Sequence, residues 1–189
     1  NMNFDFHATP SFCNSWPLIS VEVNGQELWR DYVEHAQTIA VEFDPKPINQ
    51  IRIHYLNKNQ GPTQWDTKLD NEGNIIEDQY CVIKDIRLGK SRCDFLINDL
   101  VYHGVDGTTT SNLNGFMSKK GYFFFECPDN VYNWILEKRK EKLFHIPERS
   151  SSLDYWTNYI GDNANDNVDK LLSEVKEILN SYDNKNSSN

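Results

Sequence analysis

The sequence predicts an antiparallel β-sandwich of jelly-roll type followed by a C-terminal amphipathic helix. Three observations lead there. Apolar and polar residues alternate through about the first 130 residues, the period of a half-buried strand. Turn-forming Gly, Pro, Asn and Asp recur between these runs at nearly even spacing, as in an all-β sandwich. Beyond residue 165 the apolar period lengthens to that of a helix.

In chain order, "LISVEV" turns Ile19, Val21 and Val23 one way and Ser20, Glu22 and Asn24 the other; "NGQ" then reverses the chain into "ELW". "TIAVEF" places Ile39, Val41 and Phe43 inward, and "PKP" at 45–47 forbids a ladder and marks a loop. "QIRIHYL" alternates through Ile51, Ile53 and Tyr55 into the polar loop "NKNQGP". "QWDTKL", the turn "DNEGN", "IIED" and the longer "QYCVIKDIRLG" follow. "CDFLI" reads as a strand, "HGVDGTTTSNLNG" as a long loop, and "GYFFFEC", bounded by Gly121 and Pro128, as an aromatic strand. The count is roughly eight to ten short strands. "NVYNWILEKRKEK" fits an edge strand or a helix, and its Lys138–Lys142 cluster a solvated end.

Residues 1–146 therefore form the sandwich domain and 147–165, with "PERSSS", a linker. Residues 166–183 are a helix with Val168, Leu171, Leu172, Val175, Ile178, Leu179 and Tyr182 along one face, and 184–189 a disordered tail. That stripe is about two heptads long, marginal for a free coiled coil, so 166–182 is expected to pack on its own chain or to join subunits in a homo-oligomer.

Net charge is −9 over 189 residues, with no extended basic face. Nucleic acid and anionic membranes, which are held through Lys and Arg, are not expected partners. No apolar run approaches the length of a membrane span. Cys13, Cys81, Cys93 and Cys127 include no CxxC pair, so they read as buried thiols made in a reducing cytoplasm. A Cys81–Cys93 bridge across a hairpin is the alternative.

"WDTKLDNEGNIIEDQ" (65–79) gathers five carboxylates around one glycine. As an EF-hand with Gly73 sixth it would begin at Lys68, which cannot ligate calcium. A looser calcium site from Asp66, Asp70, Glu72 and Asp78 is the metal reading; otherwise no cofactor is expected. Asp66 and Asp78, as cross-strand neighbours, would make a glycan hydrolase or lyase if they stood roughly 5–9 Å apart across a cleft. The reading preferred over both is a hairpin turn, with Asp and Asn making local turns, Gly73 taking positive φ and the acids left in water. No GxSxG, P-loop, GxGxxG or HExxH is present. Cys93, His103 and Asp106 are the residues of a Cys-His-Asp set, though His103 reads more simply as a loop residue.

"VEVNGQELW", "INQIRIHYLNK", "DQYCVIKDIRLGK" and the glycine-bounded aromatic strand, in that order, resemble calcium-dependent xylan-binding carbohydrate modules. The likeness covers residues 18–127 and implies a small jelly roll that binds glycans. It departs from the family at the metal site, where Lys58 and Lys84 stand in place of aspartates; the resemblance thus implies the scaffold with the calcium lost. "NK…DT…D.EGNII.D…I.DIRLG" with "VYNWIL" is also similar in style to uncharacterised structural proteins of marine tailed phages.

The expectation is accordingly a non-catalytic binding or virion-structural protein, with a glycan or other virion and assembly proteins as partner. Trp65, Asp66, Asn57, Trp29 and Tyr122 are the expected ligand-binding residues: aromatic faces stack on sugar rings while Asn and Asp fix hydroxyls. A purely structural subunit assembled through 166–182 is the remaining alternative.

Overall fold

Strand β1 (Met2–Ser11) runs through the middle of a five-stranded antiparallel sheet, between β4 (Gln37–Phe43) and β8 (Tyr80–Leu88); β9 (Ser91–Arg92) and β12 (Phe116–Met117) complete it on β8. The six-stranded sheet has the order β11 (Thr109–Thr110), β10 (Val101–Gly104), β13 (Gly121–Pro128), β5 (Ile48–Tyr55), β2 (Leu18–Val23), β3 (Gln26–Tyr32). A separate hairpin pairs β6 (Thr67–Leu69) with β7 (Ile75–Asp78). This computed structural model describes residues 1–144 except Pro62, with only the backbone for Lys140, Lys142, Leu143 and Phe144. The expected linker at 147–165, helix at 166–183 and tail at 184–189 lie outside the described residues.

The two large sheets face each other over one apolar core. Ile19, Val21, Ile39, Val41, Ile51, Ile53, Tyr55, Phe123 and Phe125 are buried, so the period-2 alternation of β2, β4, β5 and β13 is the inward face of a sandwich. Phe4 of β1 meets Phe125 of the opposite sheet edge-on at 5.7 Å between ring centroids. The β2–β3 turn has Asn24 at φ 54° and Gly25 at φ 83°, the two left-handed residues that a two-residue hairpin loop requires.

Two segments depart from expectation, and at a third one of two expected alternatives is the one found. "CDFLI" is not a strand: Phe95–Asp99 is the short helix α1. Its neighbourhood is buried at Cys93, Leu96 and Leu100, a spacing of three and four that suits a helical turn and not a pleat. The segment expected as one long loop, 103–115, contains the end of β10 and all of β11, with β12 directly after it; Tyr102, just before it, is buried and stacks edge-on with Phe123 at 4.8 Å. The segment is pinned at Gly115 (φ 79°), where a Cβ would stand 2.0 Å from the Ile83 carbonyl oxygen. "VYNWIL" resolves as a helix, α2 (Val131–Phe144), with Val131 and Ile135 buried one turn apart and Trp134 against Phe95 at 5.7 Å. All four cysteines are buried and free, so Cys81 and Cys93 are not bridged.

Candidate functional site

The polar loop after β5 and the β1–β2 connection (residues 12–17) meet at one end of the sandwich. The Asn14 amide ties them together, donating to the Trp65 carbonyl at 3.1 Å and to Asp66 Oδ1 at 2.9 Å. The other Asp66 oxygen accepts from the Asn59 backbone N–H at 2.8 Å and from its side-chain amide at 3.0 Å. Gln79, also fully buried, accepts from the Tyr55 hydroxyl at 2.7 Å and donates to Ser15 O at 2.9 Å and Ser15 Oγ at 2.7 Å. Buried polar groups in low dielectric persist only when paired in this way.

On that frame Trp65 is 47 % exposed although Asp66 beside it is 0 % exposed. Phe12 is equally exposed, at 47 %, and meets Trp16 edge-on at 5.0 Å. Two loops thus present Phe12, Trp16 and Trp65 on backbones tied together through the buried Asp66 and Gln79 side chains. The β6–β7 hairpin adds exposed Leu69, Ile75 and Ile76.

The expected site residues fall in three places. Trp65, Asp66 and Asn57 share this loop end, but two of the three have no atoms to spare for a ligand. Asp66 is sealed in, correcting the expectation that it is a solvated acid or ligand contact. Asn57 accepts from Leu18 N at 2.8 Å and donates to Trp16 O at 2.8 Å and Ser15 Oγ at 3.3 Å, which positions the β1–β2 connection. Trp29 lies half-buried on β3, packed against the core. Tyr122 lies on the outer face of the six-stranded sheet, stacked on His103 (5.0 Å, 13°) and in contact with His54 (5.2 Å), with the Arg52 guanidinium 5.7 Å from its centroid. Its ring is therefore already engaged by neighbours.

The expected metal set is not assembled. Asp70 caps its own turn, accepting from Glu72 N at 2.8 Å and Asn74 N at 2.9 Å, and the Asn74 side chain, foremost among these donors, holds its carboxyl below the usual range. Glu72 sits at the same turn, whereas Asp78 faces Lys58 and Thr67. Among the described residues no three His, Cys, Asp or Glu side chains converge as metal ligands. The turn reading of "DNEGN" is what the geometry contains, with Gly73 at φ 87°. Cys93, His103 and Asp106 do not meet as a set either: Cys93 Sγ donates to Ser91 O at 3.6 Å, burial pushes its thiol up to about 11, and Asp106 serves Thr108 and Lys119.

Sequence reasoning missed Phe12, Asn14 and Trp16. The signal was "SFCNSWP", two aromatics flanking an asparagine that here takes φ 62°. It also missed the outer-face group of Glu22, Arg52 and His54, where Arg52 pairs with Glu22 at 2.6 Å. His54 Nε2 is 3.3 Å from Glu22 Oε2 but makes no hydrogen bond there. Desolvation lowers the His54 pKa, Arg52 assists, and Glu22 and Glu27 oppose without prevailing. The fold therefore favours neutral His54; the stability this supplies is full above the unfolded value of 6.5 and is lost as pH falls through the depressed folded value. Thermal melts from pH 7.5 down to about 5, on either side of histidine's ordinary range, should fall less steeply for His54→Gln than for the native chain; parallel slopes would refute this.

No protein-family model matches the sequence, and no curated protein matches it. Two solved structures resemble the fold. One, described as vCBM60 in complex with galactobiose, has a TM-score of 0.44 and 16 % identity over 65 % of this chain and 96 % of that chain. The other, the selenomethionine form of vCBM60, is described with a circular permutation linking two families of calcium-dependent carbohydrate binding modules. Its TM-score is 0.46, with 15 % identity over 66 % of this chain and 90 % of that chain.

Proposed function

We propose that this chain is a non-catalytic binding module that takes a glycan at the loop end carrying Trp65, Phe12 and Trp16. The observation that carries the reading is the contrast within one dipeptide: the Trp65 indole stands half in solvent while the Asp66 carboxylate next to it is buried and fully hydrogen-bonded. An apolar face on a pre-organised backbone binds without first having to order its loop. The C–H face of a pyranose suits such an indole, and exposed Gln60, Thr63 and Gln64 in the same loop provide hydroxyl partners. The hydrolase alternative would need Asp66 and Asp78 free to act on substrate, whereas Asp66 accepts hydrogen bonds from Asn14 and Asn59 and Asp78 from Lys58 and Thr67.

Glycan-array screening followed by titration of the best glycan against native chain and Trp65→Ala tests the proposal. Truncating a central aromatic anchor costs about 2 kcal/mol or more, so affinity should fall at least about tenfold with little change in melting temperature. Failure of every glycan to bind, or equal affinity in the variant, rejects it.

A further inference from the structure

Lys58 lies in the polar loop after β5, yet its side chain is 1 % exposed. Its ammonium donates to the carbonyl oxygens of Asp66 at 3.1 Å and Gln79 at 2.5 Å, and to Asp78 Oδ1. An ammonium has three N–H donors, and three oxygens meet it. Asp78 Oδ1 also accepts from Thr67 Oγ1 at 2.5 Å, and Gln79 N donates to the Asp66 carbonyl at 2.9 Å. Three stretches of chain, at 58, 66–67 and 78–79, are thus joined through one positive charge.

Two backbone carbonyls and a carboxylate converging on a point are the hard oxygen donors that calcium takes. The calcium of the carbohydrate modules that the sequence resembles nevertheless does not fit these residues. The Asp78 charge is matched by Lys58, the Asp66 carboxylate is turned to Asn14 and Asn59, and Asp70 is bound to its own turn. A divalent ion at these oxygens would have to displace a buried ammonium.

We infer that Lys58 is a built-in cation: it joins these loops as a bound metal would, so the end of the sandwich that carries Trp65 forms without divalent ions. The inference rests on the fold and not on sugar binding, and its test reads stability and metal binding alone, so either reading can fail without the other.

The full chain is melted in millimolar CaCl2 and in excess EDTA, and titrated with terbium, whose emission Trp65 would sensitise at this site. Coincident melting temperatures and no saturable emission are expected, since a ligand that binds only the folded state must raise the melting temperature. Lys58→Ala leaves the oxygens without their cation and should melt roughly 10 °C lower. Calcium or propylammonium chloride should then restore part of that loss, while Lys58→Met, which fills the space without charge, should lose as much and regain nothing. The inference is overturned by calcium raising the native melting temperature, by saturable terbium emission from the native chain, or by Lys58→Ala melting where the native chain does. If Lys58→Ala does not fold, the native titrations still decide.

Discussion

Replacing Asp66 with alanine is expected to destabilise the protein by about 4 kcal/mol, because hydrogen bonds to a charged acceptor are worth roughly 1.5–3 kcal/mol each and stranded donors add a penalty. The carboxylate is 0 % exposed and accepts from the Asn14 side chain and from both the backbone and the side chain of Asn59. Some recovery follows when the freed amides find water at the loop surface, so the loss is smaller than the sum of bonds. For a chain of this size about 4 kcal/mol lowers the melting temperature by roughly 10 °C. Asp66→Asn keeps the shape and one acceptor and should lose about half as much. For the proposed glycan site a second consequence is expected: once Asn14 and Asn59 are released, the loop bearing Trp65 has to be ordered by the ligand itself, which lowers affinity. Chemical denaturation of both variants measures the first effect. Asp66→Ala unfolding within about 1 kcal/mol of native, a margin that surface changes seldom exceed, would mean that the buried carboxylate does not hold these loops.

Phe4→Ala should cost about as much, roughly 3–5 kcal/mol, for a different reason. Phe4 is 0 % exposed and lies between the sheets, 5.5 Å from the Phe6 ring and 5.7 Å from the Phe125 ring. Truncation leaves a cavity that two hydrogen-bonded sheets cannot close without sliding. Phe124→Ala, on the outer face of β13 where Arg52 covers the ring at 5.2 Å, is the matched control and should cost about 1 kcal/mol. If both variants shift the urea midpoint equally, the core described here does not carry the sandwich.

The fold was legible where one side of a strand faces water. Ile19, Val21 and Val23, then Ile39, Val41 and Phe43, then Ile51, Ile53 and Tyr55 are all buried, and each set is read directly from a period of two. β1 carries the same pattern in Met2, Phe4, Phe6 and Ala8, yet its importance comes from pairing with β4 and β8, strands some 35 and 80 residues away in the chain. "CDFLI" was misread because a short apolar run has no visible period, and only the spacing of Cys93, Leu96 and Leu100 in the core makes it helical. Trp65 as an exposed aromatic beside a polar loop was also legible.

Sequence alone determined the period-two strands of the antiparallel sandwich and the Asn24-Gly25 and Asp70–Asn74 turns, because these follow from near neighbours in the chain. Tertiary structure alone decided that Asp66 and Asn57 are struts, that Tyr122 is already stacked, and that Lys58 is buried. Whether a polar side chain meets water, ligand or protein depends on which distant backbone groups arrive beside it, and burial of a charge is stable only when they do.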